Sequence, residues 1–419
     1  MKKIVTLLLA LVMVLSLAAC GQKAPEVAPE AAPEAAPEAA PEAAPEAAPE
    51  AGEFKVGIIL PLTGNYAEYG QGQKVAYTMA IEDINEAGGV NGQTVVATFE
   101  DSGSDPTVSA ELLKKFIEDP SYNMVYGDYD SGTSLAMAPI AQEAGFPMMC
   151  CSASNANIPL TGDYVFSMVG VQQDEQRIVV MEVMNNYFGS KKGAIVYLDN
   201  SWGQTIYENQ LAAYEADPDI ELVEAIPVAS GETDYASVVT KLRASGADCV
   251  MLALQVTETA ACVNYMAQDG YSSEVNVVLA GAAYTDQLIE LTGANTQGMV
   301  ITQPFFIDPA NEAMVTWCNE YTERSGLSPN MMTVCAYDGL KMCCEAINAA
   351  GAVTRAEIRD AMAGIKDYQG ITGVISFDNV GTVLRLQNLI AIENGEWVLL
   401  ENTSFCEGYE PYVFEGYNS

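Results

Sequence analysis

The chain predicts an α/β fold of two lobes, each an open, mostly parallel sheet with flanking helices. Short apolar runs alternate with longer amphipathic stretches from residue 53 onward, the pattern of parallel strands covered by helices. That alternation runs in two successive series. Once an N-terminal segment of low complexity is set aside, roughly 370 residues remain, enough for two well-filled cores.

The N-terminal segment reads as targeting and tether. Lys2 and Lys3 precede an apolar run, Ile4 to Leu17, too short for a comfortable membrane span and typical of an export signal. Leu17-Ala18-Ala19-Cys20 resembles the lipobox of bacterial lipoproteins. The resemblance implies a signal peptide over 1–19 and a lipid on the Cys20 sulfur. The linker that follows, 20–52, repeats Ala-Pro-Glu-Ala. Its regular prolines favour extended polyproline geometry, so at ~3.1 Å per residue it forms a stalk reaching roughly 90 Å, kept solvated by glutamate.

In the first series, strands are expected at Phe54–Leu60, Val95–Phe99, Asn123–Tyr126 and Pro147–Cys150. Helices are expected at Gln71–Glu86, Pro106–Glu118 and Thr133–Ala144. The second series begins near Gln173 with a helix to Tyr187. It continues with strands Gly193–Leu198, Leu222–Val228, Cys249–Leu254 and Val275–Leu279, and helices Gln204–Ala216, Tyr235–Ser245 and Thr257–Gln268. Asn394-Gly395 marks a hairpin turn between Gln387 and Leu400.

Composition removes several functional classes. With 56 acidic against 18 basic residues and a net charge of -38, the chain lacks the clustered cations that nucleic acid requires. It contains no histidine, which excludes Ser-His-Asp and Cys-His catalysis and the commonest metal ligand. Lys74, Lys241 and Lys341 follow no supporting serine motif. No enzymatic activity, cofactor or metal is therefore expected. Ten cysteines, nine besides Cys20, fall in apolar elements without a CxxC pair and read mostly as core residues.

Open α/β sheets bind ligands beyond the carboxyl ends of their strands. The post-strand segments are Pro61-Leu62-Thr63-Gly64 leading to Glu68-Tyr69-Gly70, Asp128 to Ser134, Ser152-Ala153-Ser154-Asn155, Asp199 to Gly203, and Thr257-Glu258-Thr259. Hydroxyls and helix-start amides gather on the first lobe and a carboxylate on the second. That division suits a zwitterion, with Ser131 and Ser154 near a ligand carboxylate, Glu258 accepting an ammonium, and Tyr69 and Trp202 as walls. Plainer uses exist for the same residues: Ser131 as a helix cap, Glu258 favouring its own helix, Trp202 as core. The residues alone leave both open.

From Lys55 to about Leu400 the chain resembles the type I periplasmic solute-binding proteins of the branched-chain amino-acid family of ABC transporters. The resemblance is carried by Lys55 to Gly64, Tyr69-Gly70, Ala80 to Gly92, and Asp101 with Asp105-Pro106. It implies two lobes joined by three crossovers, placed near Val169, Ala282 and Gly381. Lobe 1 then comprises 53–169 and 283–381, lobe 2 170–282 and 382–403, and an extension 404–419 follows. It also implies ligand contacts at Tyr69, Ser131, Ser152, Ser154, Trp202 and Glu258, with Ser152 acting through its backbone. Two departures stand out: Trp202 falls where the family often has tyrosine, and Ser104 and Asp130 occupy the places of a disulfide seen in some members.

The implied function is delivery of a branched-chain or related neutral amino acid to an ABC permease and ATPase by hinge closure, with the receptor a lipid-anchored monomer. The Gram-positive cell surface is favoured over a periplasm. Alternatives are a receptor for urea, a short amide or another small polar solute, and a scaffold lipoprotein that regulates cell-wall synthesis.

Overall fold

A computed structural model describes residues 52–169, 172–371, 373–383 and 387–400, with side chains omitted for 172–174. The expected signal peptide, Cys20, the tether and the extension 404–419 lie outside the described residues. No described helix is long and apolar enough to cross a membrane.

The first series forms β1 (Glu53–Leu60), α1 (Ala67–Glu86), β2 (Thr94–Asp101), α2 (Pro106–Glu118), β3 (Tyr122–Tyr126), α3 (Ser131–Ala144), β4 (Met148–Cys150) and a strand absent from the sequence reading, β5 (Val165–Ser167). The five strands pair in parallel in the order β2-β1-β3-β4-β5. β1 is almost wholly buried, which is why it reads as a continuous apolar run rather than an alternating one.

Next come α4 (Gln172–Arg177), which continues as a π-helical stretch Ile178–Tyr187, then β6 (Lys192–Leu198), α5 (Ser201–Glu215), β7 (Glu221–Val228), α6 (Ala236–Ser245), β8 (Cys249–Ala253), α7 (Val256–Asp269), β9 (Asn276–Leu279), α8 (Asp286–Thr292) and β10 (Val300–Gln303). The chain then forms α9 (Glu312–Ser325), α10 (Met331–Ala350), α11 (Arg355–Ala363), the short pair β11 (Tyr368–Gly370) and β12 (Gly373–Ile375), and finally β13 (Asn388–Glu393) and β14 (Glu396–Leu399). The second sheet runs β14-β13-β10-β9-β8-β6-β7. Its last two strands pair antiparallel, turning at Asn394 (φ 54°) and Gly395 (φ 81°), the positive-φ pair of a tight hairpin.

One expected boundary is corrected by the pairing. β10 lies between β9 and β13 in the second sheet, so the return crossing falls after Gln303 and not near Ala282. The run from Tyr284 carried helix and strand signals that fit either lobe, and sequence periodicity does not say which sheet a strand joins. Beyond the crossing, α9 and α10 pack on α1. The other two crossings lie side by side: Ser167 N donates to Gly381 O at 2.9 Å, and Thr382 Oγ1 to Val169 O at 3.1 Å.

Local chemistry fixes the helix starts that aim at the cleft. Asp105 caps α2 by accepting from Thr107 N (2.7 Å) and Val108 N (3.2 Å), with Pro106 at the first helical position. Gly70 and Gly203 allow α1 and α5 to approach the strands before them: a Cβ would stand 2.2 Å from Pro61 O in the first case and 2.1 Å from Leu198 O in the second. The Ala80–Gly92 motif is architectural. Asn85 holds Val95 through both main-chain groups (2.7 and 3.0 Å), and Asp83 accepts from Tyr337 and, at 3.2 Å, from Lys341.

Eight cysteines lie among the described residues, all buried. Burial pushes the Cys150, Cys262 and Cys343 thiols up to about 12, so they are protonated, unreactive core atoms.

The turn from β3 into α3 rests on Asp128, which is 1 % exposed. Its carboxylate accepts from Ser109 Oγ (3.0 Å) and Tyr129 N, while its amide donates to Ser134 Oγ (3.0 Å). Burial outweighs these bonds and raises its pKa from 3.8 to about 6. Between about pH 4 and 6 the folded state therefore binds more protons than the unfolded chain, and this group's stabilising contribution is lost as pH rises, by about 3 kcal/mol at most. Asp128→Asn should flatten that slope. Urea midpoints from pH 4 to 6.5 are expected to fall less in the variant than in the parent; parallel pH profiles would exclude the linkage.

Candidate functional site

The carboxyl ends of both sheets face one cleft, where the side chains of the two lobes already touch. Tyr129 Oη donates to Gln255 Oε1 at 3.2 Å, Asn155 Nδ2 to Thr205 Oγ1 at 2.7 Å, and Asn200 Nδ2 to Tyr66 Oη at 3.3 Å. Each bond joins a post-β1, post-β3 or post-β4 segment to a post-β6 or post-β8 segment, so the arrangement is a closed one.

On the first lobe, Ser131 opens α3 and is 2 % exposed, and its hydroxyl has no hydrogen-bond partner. Ser152 and Ser154 follow β4 and are buried. The Ser152 hydroxyl accepts from Gln73 Nε2 (3.2 Å) and donates to Asp128 O (3.4 Å), which ties β4 to α1 and to the β3 turn. The amides at the start of α3, expected to meet a ligand carboxylate, are taken by the chain's own Asp130, which accepts from Gly132 N (2.8 Å) and Thr133 N (3.3 Å). Burial outweighs those bonds and raises the Asp130 pKa. The cap position was legible from Asp130-Ser131-Gly132-Thr133, whereas the sequence reading offered Ser131 as the cap, as the plainer alternative to a ligand contact.

On the second lobe, Glu258 lies in the first turn of α7 and is 4 % exposed. Its Oε1 accepts from Gly231 N at 2.8 Å and its Oε2 from Thr257 Oγ1 at 2.9 Å. No lysine or arginine among the described residues pairs with it. Each carboxylate oxygen keeps acceptor capacity for a further donor.

Glu258 lines a cavity of about 580 Å³, open to solvent, with Tyr66, Tyr69, Ser230, Gln255 and Gln287 among its other walls. The Tyr69 ring stacks on Tyr129 (4.7 Å between centroids, 19° between planes), and Tyr66 leans on the same ring at 5.4 Å. Burial raises the Tyr69 pKa and outweighs the Val256 backbone bond that opposes it. Tyr66 is raised by burial first and then by the nearby Asp130 charge, with Glu258 adding a smaller push. Its hydroxyl thus feels a carboxylate from each lobe.

The six expected residues therefore separate. Tyr69 and Glu258 line this cavity. Ser131, Ser152 and Ser154 are buried on the first lobe. Trp202, half-buried on α5, packs against two of the buried clusters. Sequence reasoning missed Tyr66, Tyr129, Gln255 and Gln287. Tyr66 and Tyr129 stand within or beside segments it had singled out, but which ring turns inward depends on the close approach of the lobes. No group of acidic or cysteine side chains suited to a metal occurs among the described residues.

Comparison with known proteins fits this architecture. The family model described as periplasmic binding protein matches residues 53–386. The chain is 26 % identical over 335 residues to the Leu/Ile/Val-binding protein homolog 2 of Brucella abortus (strain 2308), covering 78 % of this chain and 87 % of that protein. It is 23 % identical over 344 residues to the leucine-, isoleucine-, valine-, threonine- and alanine-binding protein of Pseudomonas aeruginosa, covering 79 % and 87 %. Its fold matches the branched-chain amino acid transporter substrate-binding protein LivJ of Streptococcus pneumoniae, solved with isoleucine (TM-score 0.73, 21 % identity, 83 % and 99 % covered). It also matches a solute-binding protein of an ABC transporter from Rhodopseudomonas palustris BisB5 solved with 3,4-dihydroxybenzoic acid (TM-score 0.75, 22 % identity, 83 % and 96 % covered). Two α/β sheets, three crossings and a cleft at the strands' carboxyl ends, together with a family model spanning most of the chain, make this protein a member of the periplasmic binding protein family.

Proposed function

We propose that this protein is a receptor that captures an amino acid or a related small amine outside the cytoplasm and delivers it to an ABC permease and its ATPase. The observation that carries the reading is Glu258: a buried carboxylate with no cationic partner among the described residues, at the wall of a cleft closed by contacts between two lobes. Leaving such a charge uncompensated is costly, and an ammonium group is the fitting counter-ion. The branched-chain ligands named for relatives are consistent with an ammonium at this position. A benzoate offers no ammonium to pair with Glu258.

Capture proceeds by closure. A ligand held on one lobe gains contacts from the other, shifting an open ensemble toward the closed arrangement by its differential affinity for the two. Tyr129–Gln255, Asn155–Thr205 and Asn200–Tyr66 are bonds that such closure makes. The closed lobes together present a paired surface to the permease. A lipid on Cys20 and the Ala-Pro-Glu stalk would hold the receptor near that partner at high local concentration, which a soluble monomer would lack.

Glu258→Ala tests the assignment. Calorimetry on the full chain, unfolded and refolded to remove bound ligand, should give an affinity for any amine ligand weakened by about 3 kcal/mol, because the ammonium would be left unpaired in a closed site. Unchanged affinity, with thermal unfolding of the ligand-free variant matching the parent, would remove Glu258 from the site.

A further inference from the structure

Three tyrosines of the first lobe, Tyr66, Tyr69 and Tyr129, hold one another. The Tyr129 ring stacks at 4.7 Å on that of Tyr69 and lies 5.4 Å from that of Tyr66. All three hydroxyls reach across to the second lobe. Tyr129 Oη donates to Gln255 Oε1 at 3.2 Å, Tyr69 Oη bonds to the Val256 amide, and Tyr66 Oη accepts from Asn200 Nδ2 at 3.3 Å and bonds with Ser230. Rings packed on each other within one lobe aim their hydroxyls before the lobes meet, so little ordering is left for closure itself.

The receiving end is α7. Its N-cap residue is Gln255, whose side chain makes no capping bond to the helix, and the first intrahelical bond runs from Thr259 N to Gln255 O at 2.8 Å. The amides ahead of it need acceptors from elsewhere. Val256 N finds one in Tyr69 of the opposite lobe, and the Gln255 side chain, 8 % exposed, is turned to Tyr129. The same first turn carries Glu258. Holding the start of α7 therefore also holds that carboxylate in place.

We propose that the tyrosine stack is a preorganised latch: the first lobe supplies in trans the cap that α7 lacks, and Tyr129, which is not a wall of the Glu258 cavity, sets how tightly a ligand is retained without touching it. With the lobes apart, water serves the same hydroxyls, so each bond biases the closed state only modestly, about fivefold in population. Several such bonds hold the lobes together and still let them part. Because the latch engages after a ligand has entered, losing it speeds dissociation and leaves association unchanged. The effect on ligand rests on the receptor reading given above; the latch itself does not.

The test is disulfide trapping in the full chain, ligand-stripped by refolding. Asn155→Cys with Thr205→Cys puts one thiol on each lobe where the two side chains meet at 2.7 Å, and oxidation by copper phenanthroline reports how often the lobes close. The described native thiols are buried, and each single substitution serves as the control. Tyr129→Phe keeps the ring and removes the hydroxyl; it is expected to slow trapping about fivefold. Gln255→Leu should do the same, and the two together should slow it no further, as for groups sharing one bond. Unchanged trapping, even with a lowered thermal midpoint, would make the hydroxyl merely structural and overturn the latch, as would independent, multiplying effects of the two substitutions. The common amino acid that binds the parent most tightly by calorimetry should leave Tyr129→Phe about fivefold faster in stopped flow; slower association in its place overturns the retention role. If trapping slows as expected while no amino acid binds the parent, the latch stands and the amino-acid reading falls.

Discussion

A carboxylate taken out of water must find a positive partner, and in this protein Glu258 does not find one within its own described fold. Its two hydrogen bonds, from Gly231 N and the Thr257 hydroxyl, orient it without neutralising it. The helix start beneath it contributes only a fraction of a charge. Tyrosine rings wall the same cavity, and no lysine or arginine among the described residues lines it. The chain contains no histidine, and the described thiols are sealed in the cores.

Recognition becomes transport-competent because the two lobes are separate sheets linked by few strands of chain. The first and third crossings run hydrogen-bonded together through Ser167, Val169, Gly381 and Thr382, forming a short ribbon that can bend while each sheet stays intact. Glycines 70 and 203 let α1 and α5 start close against their strands, which places Tyr66 and Asn200 within reach of each other across the gap. The contacts that close the cleft are a few polar bonds and not a continuous apolar seal, which suits a closure that has to be reversed when ligand is handed on.

Much of the fold could be read directly from the residues. Buried parallel strands such as β1, β6 and β8 are nearly pure apolar runs, and proline, glycine and aspartate punctuate the helices between them. β5 and β10 escaped or were misplaced because three or four residues carry little periodic signal, and sheet membership depends on partners far away in sequence. The family motif from Ala80 to Gly92 was the clearest signature, yet it works in architecture, through Asn85 on Val95 and Asp83 on Tyr337. The site was less legible. Glu258 stood out because a carboxylate followed a buried strand, whereas Tyr66 and Tyr129 enter the cleft only through the meeting of two lobes. The Asp130 cap was visible in sequence, but its consequence, a helix start closed to outside anions, emerges only from the hydrogen bonds.

The central claim is that the lobes close around a cation held by Glu258, and small-angle X-ray scattering of the ligand-stripped protein addresses it most directly. The account predicts a larger radius of gyration without ligand and a compact form when a saturating amine ligand is added. A radius that stays the same with and without ligand, while calorimetry registers binding, would contradict closure as the means of capture.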